Sequence, residues 1–385
     1  MIEGLLDSPI SVPAFLIMYI LTLCILVIPR DVLPLFWSRL VFFPGVVLAA
    51  AYIFHTHRPT TIVIDYVSGN AVVAIFLYCS SYALMQDAQE QRLIGQPKLT
   101  KEYGLWWRIR WAIQLISDPR GIAFSGRAVN TPPPPTRTRA QFVVSRALRL
   151  ARNALLADAA QLLIFSDPYV FMADPLVIEP VWKPFFRTIL LGLHTIGLFD
   201  TVHTSISLLF VGSGIDAPQA WPDWFGPFAE MYTLRNFWGK VWHQSIQRMV
   251  VPHNKFVSRT VLRLPRGSYL SAFVQLLVAF SLSALMHCGG DYMAVRRLDI
   301  SWPFFTSQAF GIAAEDWVIK LGGGMVSSAV VRRVIGYVWV LSWFRLSVPW
   351  IVGSWVDMGL VATPKSSRIS VLNGLWSGDW VVHLG

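Results

Sequence analysis

Long apolar stretches separated by short polar punctuation set the pattern of this chain. Stretches of roughly 17 to 25 predominantly apolar residues, the length that crosses about 30 Å of hydrocarbon as a helix, fall near 10–28, 35–54, 62–85, 153–171, 185–211, 269–287, 302–320 and 334–352. They predict about eight transmembrane helices. Asn153, Asp158 and Asp167 interrupt the fourth stretch, which also reads as partly interfacial. Pro29 and Pro34 bracket the first turn, where helix ends are expected. The first stretch is longer than a signal-peptide core and no small-residue cleavage site follows, so it is expected to remain as a span.

The polar intervals carry cations. Residues 88–152 hold twelve Lys/Arg against three Asp/Glu, and residues 235–266 hold seven against none. Short cytoplasmic loops collect Lys and Arg, so both intervals are expected on the cytoplasmic side. Eight spans then put Arg332 and Arg333 on that side as well, and both termini in the lumen.

Composition agrees with the pattern. The 385 residues are 54% hydrophobic and 14% charged, with mean hydropathy +0.51, where soluble domains carry about 25% charged residues. The expectation is an all-α, polytopic integral membrane protein built as a single membrane domain over 1–385, with amphipathic interfacial helices. The formal charge of +10 follows from the topology bias, and no basic-aromatic module stands apart from it, so no nucleic acid partner is expected. Cys24, Cys79 and Cys288 are odd in number and lie in or beside apolar stretches, with neither a disulfide framework nor metal-ligand spacing. No internal repeat is evident. "TPPPPTRTR" at 131–139 reads as a polyproline-prone linker, and "GGG" at 322–324 as a turn.

Five segments carry residues that composition does not explain. "RNFWGKVWHQSIQR", 235–248, drawn as a helix, gathers Trp238, Trp242, Ile246 and Met249 on one face and Asn236, Lys240, His243 and Gln247 on another. An amphipathic helix at the cytoplasmic interface accounts for the tryptophans and cations. It leaves the histidine and amides of the polar stripe unexplained. "SAFVQLLVAFSLSALMHCGGDYM", 271–293, is a span ending in His287, with Ser283 one turn earlier as a possible partner for one imidazole nitrogen. An ionisable residue at membrane depth is a functional candidate, although helix-end histidines are also structural.

"PFFTSQAFGIAAEDWVIK", 303–320, brings Gln308, Glu315 and Asp316 onto an apolar helix. The two acids read as solvated, or as partners of Arg332 or Arg333. "ISDPRGIAFSGRAVN", 116–130, reads as a surface loop or as an ordered turn whose backbone NH groups and Arg120 suit a phosphate. In "HTIGLFDTVH", 194–203, Asp200 and His203 are three apart and able to pair, with Asp200 also suited to an ion pair between helices.

Taken in order, these segments resemble the wax-synthase-like branch of the membrane-bound O-acyltransferases over about 105–320. "LRNFWGKVWHQSIQR" is similar to that family's Arg-x-Phe-Trp-x-x-x-Trp-His signature, and "SALMHCGG" to the apolar segment ending in its key histidine. "FFTSQAFGIAAED" resembles a later Phe-Phe, Gln and Glu-Asp block. "DPRGIAFSG" resembles an Asn-Pro-Arg-Gly-Ile-Gly element, with Asp118 in place of Asn and Ala123 in place of the second Gly. The first hundred residues match only as generic spans.

The resemblance implies that His287 acts as general base on an acceptor hydroxyl, which attacks the thioester of an acyl-CoA. It implies for His243 a second polar position that helps hold the donor or the developing oxyanion. Arg235, Trp238, Trp242, Asn236 and Gln247 would support that segment or contact substrate, as would Arg120 and Gln308. No bound cofactor and no metal are expected. The partners would be acetyl-CoA as co-substrate, a hydrophobic alcohol and the lipid bilayer, with the endoplasmic reticulum as the location. The fungal type of the branch points to O-acetylation of a terpenoid or related secondary metabolite; wax ester synthesis is the alternative within the class. A membrane terpene cyclase is the alternative outside it, although no DDxxD or NDxxD motif holds magnesium and diphosphate. A transporter would need inverted repeats or matched helix breaks.

Overall fold

The computed structural model describes residues 11–96, 103–165, 180–322, 326–360 and 367–383. They are almost wholly helical: α1 Val12–Val27, α2 Leu35–Thr56, α3 Ile62–Ser80, α4 Leu105–Ser117, α5 Arg139–Phe165, α6 Trp182–Gly212, α7 Gln247–Lys255, α8 Tyr269–Val295, α9 Trp302–Gly322, α10 Ala329–Ser347, α11 Pro349–Asp357 and α12 Val371–Ser377. One short antiparallel ribbon pairs Ser367–Ile369 with Val381–His383. The starts follow local chemistry, since the hydroxyls of Thr61 and Ser268 accept from the backbone NH groups of Ile64 and Ser271 and so cap α3 and α8.

Among the described residues, five helical stretches are long and apolar enough to cross a membrane: Leu35–Thr56, Ile62–Met85, Trp182–Gly212, Tyr269–Val295 and Ala329–Asp357. They do not confirm the expected count of eight. α1 forms where the first run predicts it but has 16 residues, about 24 Å at 1.5 Å per residue. α5 begins at Arg139, well before the predicted 153, because its amphipathic face carries Arg139, Arg146, Arg149 and Arg152. The rest of that predicted run, 166–171, lies outside the described residues, as do Gly323 and Gly324. α9 matches the run at 302–320, but Glu315, Asp316 and Lys320 lower its apolar character.

The chain divides into two compact units, Met1–Val129 with Ser245–Ala313, and Asn130–Gln244 with Ala314–Gly385. In the first, α3 and α8 pack side by side with almost no space between their backbones. A Cβ placed on Gly69 would stand 2.1 Å from the Gly289 carbonyl oxygen, and one on Gly290 would stand 2.7 Å from the Tyr66 carbonyl oxygen. Small residues permit such approaches between membrane helices. Around this crossing, Leu26, Val73, Leu77, Tyr82, Trp111, Phe124 and Met249 form a buried core.

In the second unit, α5 lies along α6 and the pair is stitched by charge. Arg149 reaches Asp200 at 2.6 Å and Asp223 at 2.6 Å, and the Asn153 amide donates to Asp200 at 2.5 Å. Asp200 therefore holds two helices together, one of the two roles its sequence position suggested.

Candidate active site

His287 sits inside α8, not at its end. The helix continues for eight residues to Val295, about 12 Å, so the histidine is set back from the terminus that the apolar run alone predicted. Its Nδ1 lies 2.8 Å from the Tyr66 hydroxyl, which replaces the sequence expectation of Ser283. Phe305, on α9, stacks on the imidazole with centroids 4.4 Å apart and planes 17° from parallel. The two glycines after His287-Cys288 make this possible: they let α3 approach until Tyr66, from a segment with only generic signal, meets the histidine. Gln308, one turn beyond Phe305, is fully buried and its amide donates to the Phe304 carbonyl at 3.0 Å.

The 118–129 turn belongs to the same unit and is ordered around Arg248. The Arg248 guanidinium donates to the Asp118 carbonyl at 3.1 Å, the Tyr82 hydroxyl at 3.2 Å and Gln91 Oε1 at 3.3 Å, and lies over the Phe124 ring. Gly121, at φ 65°, passes so close that an added Cβ would stand 2.7 Å from that guanidinium. Arg120 is buried in the turn, and its carbonyl accepts from Ala128. Gln247 Oε1 accepts from the Val129 NH. Arg248 thus has a structural function that its apparent place among solvated cations concealed; the sequence signal for it is the glycine that must adopt positive φ.

The remainder of the Trp-His segment lies in the second unit and is not the regular helix that its periodicity predicts. A single helical turn, Leu234–Asn236, passes into a π-turn, Phe237–Val241, and the backbone becomes extended at Trp242 with ψ 150°. Trp238, Trp242, Ile246 and Met249 therefore do not share one helical face. The buried Gln244 amide explains the break, donating to the Trp242 carbonyl at 2.5 Å and the Trp238 carbonyl at 3.2 Å and satisfying groups that a helix would have paired. Gly226 donates to Val241 at 2.9 Å and leaves no room for a Cβ, which would stand 2.0 Å from the Lys240 carbonyl oxygen.

The acidic pair of α9 secures the segment's start. Glu315 is buried and accepts from the backbone NH groups of Leu234 at 2.6 Å and Arg235 at 3.1 Å, and from the Trp339 indole at 2.9 Å. Asp316 pairs with the Arg235 guanidinium, and that hydrogen bond holds Arg235 above the ordinary arginine range. The pairing with Arg332 or Arg333 suggested by proximity in sequence gives way to these contacts. Asn236 occupies the capped turn, its NH donating to the Thr233 hydroxyl at 2.9 Å. Downstream, His243 enters a ring cluster of Trp242, Trp224, Phe199 and Phe225, with centroids 5.1 to 6.4 Å away. Trp238 meets Trp242 edge to face at 5.7 Å. His203 lies against Trp221 and Trp224.

Residues 221–307 match the model of the membrane bound O-acyl transferase family, a stretch containing both His243 and His287. The chain is similar to acetyltransferase eriL of Hericium erinaceus, 31% identical over 82% of this chain and 84% of that protein. It is similar to acetyltransferase ple2 of Rhodocybe pseudopiperita, 30% identical over 82% and 85% of the two chains. Acetyltransferase sirH of Leptosphaeria maculans is 28% identical over 81% and 83%. No solved structure matches. With likeness extending along most of both chains, and with a histidine lodged among membrane helices at the matched motif, this protein belongs to the membrane bound O-acyl transferase family and is an O-acyltransferase.

Proposed function

We propose that the protein transfers an acetyl group from acetyl-CoA to a hydroxyl of a hydrophobic acceptor, a terpenoid or related secondary metabolite, at the endoplasmic reticulum membrane. The observation that carries the donor is that relatives matching more than four fifths of their own length are named acetyltransferases. The chain's 17 Trp and 24 Phe give it rings suited to a rigid apolar acceptor.

In this reading His287 is the general base. With Nδ1 directed at Tyr66, Nε2 takes the acceptor's hydroxyl proton as the oxygen attacks the thioester carbonyl. The tetrahedral intermediate collapses with cleavage of the C–S bond. The proton then passes from Nε2 to the CoA sulfur, giving the ester and free CoA. His243 helps hold the donor or stabilise the oxyanion, where a water-poor setting strengthens each hydrogen bond. Arg235, Trp238, Trp242 and Asn236 shape the segment carrying His243. Arg120, Gln247 and Gln308 serve the binding of donor and acceptor.

Microsomes containing the protein, given labelled acetyl-CoA or palmitoyl-CoA with terpenoid and long-chain alcohols, test the proposal. Label from acetyl-CoA in a terpenoid ester is the expected product. Label from palmitoyl-CoA in a wax ester would overturn both the donor and the acceptor.

A further inference from the structure

The hydroxyl beside His287 comes from another helix, in a region where the sequence shows only a membrane span. Tyr66 is buried on α3, and its hydroxyl lies 2.8 Å from His287 Nδ1. Its backbone is held in turn: the Tyr66 carbonyl accepts from the Asn70 amide at 2.9 Å. One residue before Asn70, Gly69 lies against the Gly289 carbonyl, so the helix crossing sets the tyrosine and the histidine together.

The charged groups on the neighbouring elements have other partners. On α3, the Asp65 carboxylate accepts from the Thr60 NH at 3.0 Å and the Thr60 hydroxyl at 2.5 Å, and lies 3.4 Å from His57. On α8, Asp291, one turn beyond His287, accepts from the Ser301 NH at 3.1 Å. From α9 the imidazole receives the Phe305 ring. The group at Nδ1 is thus a neutral phenol, where many histidine bases have a carboxylate.

Building on the proposed role of His287, we infer that Tyr66 is a positioning residue for this base, accepting Nδ1–H on its phenol oxygen so that Nε2 presents its lone pair to the acceptor hydroxyl. The contact fixes the tautomer, because a base at Nε2 must carry its proton at Nδ1. It also holds the ring plane between α3 and Phe305, and stabilises the imidazolium that forms as the acceptor is deprotonated. A neutral partner does this without placing a second full charge among membrane helices, where an unpaired charge is costly.

The test is steady-state kinetics of the full chain in detergent or microsomes, comparing wild type, His287→Ala and Tyr66→Phe. Tyr66→Phe is expected to lower kcat about 10- to 100-fold, by analogy with the loss of the second-nitrogen partner of a metal-bound histidine, with KM for both substrates nearly unchanged. Losing an acceptor for imidazolium lowers the base's pKa, so the acid limb of the kcat profile moves to lower pH. A purely structural role would leave that limb in place and reduce only the amount of folded enzyme.

Should Tyr66→Phe be lost from membranes, Tyr66→3-fluorotyrosine keeps the shape while weakening the oxygen as an acceptor. A shift of the acid limb to lower pH supports the assignment. Active wild type, inactive His287→Ala and a Tyr66 variant matching wild type in kcat and pH profile would overturn the inference while leaving the catalytic reading intact. Wild type without acyl transfer would instead overturn the reading on which it rests.

Discussion

At the scale of single residues, the sequence exposed polar groups where a membrane chain has few, but it did not reveal their partners. His287 was legible because an ionisable side chain at membrane depth is costly, whereas Tyr66 blends into an apolar run and is brought to it only by the helix crossing. Replacing His287 with Ala is expected to abolish acyl transfer with the protein still present in membranes, checked by activity per immunodetected chain. Substantial residual turnover would remove it as the base. Arg248 was hidden differently, since a cation in a basic segment looks solvated. With three hydrogen bonds to buried or half-buried acceptors, Arg248→Ala should destabilise the detergent-solubilised protein by roughly 1.5–3 kcal/mol, the scale of a charge-assisted hydrogen bond, as read by thermal unfolding.

His253 provides a pH prediction outside the membrane-spanning helices. It is buried on α7, with Nδ1 2.7 Å from the Met249 carbonyl and Nε2 2.9 Å from the Ser80 hydroxyl. Burial pushes its pKa below the ordinary histidine value, outweighing the Met249 carbonyl, which acts in the opposite direction. The folded state then binds fewer protons than the unfolded one, so the stability from neutral His253 is complete above about pH 6.5 and declines as pH falls below it toward the folded value. Thermal midpoints measured from pH 7.5 down to 5 should fall, and His253→Gln should flatten that dependence. A variant with the wild-type slope would assign the acid sensitivity elsewhere.

At the scale of elements, periodicity found most helices and misjudged those that mix apolar with charged residues. α5 begins early as an amphipathic helix whose Arg146 and Arg149 meet Asp200 and Asp223, and charge in a helix reads from sequence as an interruption. The Trp-His segment has helical spacing yet breaks at Trp242, because Gln244 and Gly226 satisfy its backbone in another way. No single-strand pattern encodes that. Two motif blocks about eighty residues apart are one clamp, in which Glu315 caps the turn at Leu234 and Arg235. Glu315→Ala should therefore lower acyl transfer and destabilise the fold by about 1–3 kcal/mol, as for buried donors left unsatisfied; unchanged activity would reduce the clamp to a local brace. The α3–α8 crossing is tested by Gly69→Val, which should prevent recovery of folded protein. Gly192→Ala, at a position with nothing within 4 Å, should be tolerated.

At the scale of the whole molecule, composition alone supported an integral membrane protein, and the family match and five long apolar helices bear that out. The count of spans was less legible, because length and hydropathy do not separate a spanning helix from one lying beside it. Chemistry was legible to the extent that motifs were, so acyl transfer follows from family membership, while donor and acceptor rest on the proposal above. The measurement that tests the central claim most directly is the transfer of label from acetyl-CoA to a terpenoid alcohol by microsomes carrying wild type or His287→Ala. The account predicts ester from wild type, none from the variant, and no competing product from palmitoyl-CoA. Equal ester from both proteins, or label only from palmitoyl-CoA, would contradict it.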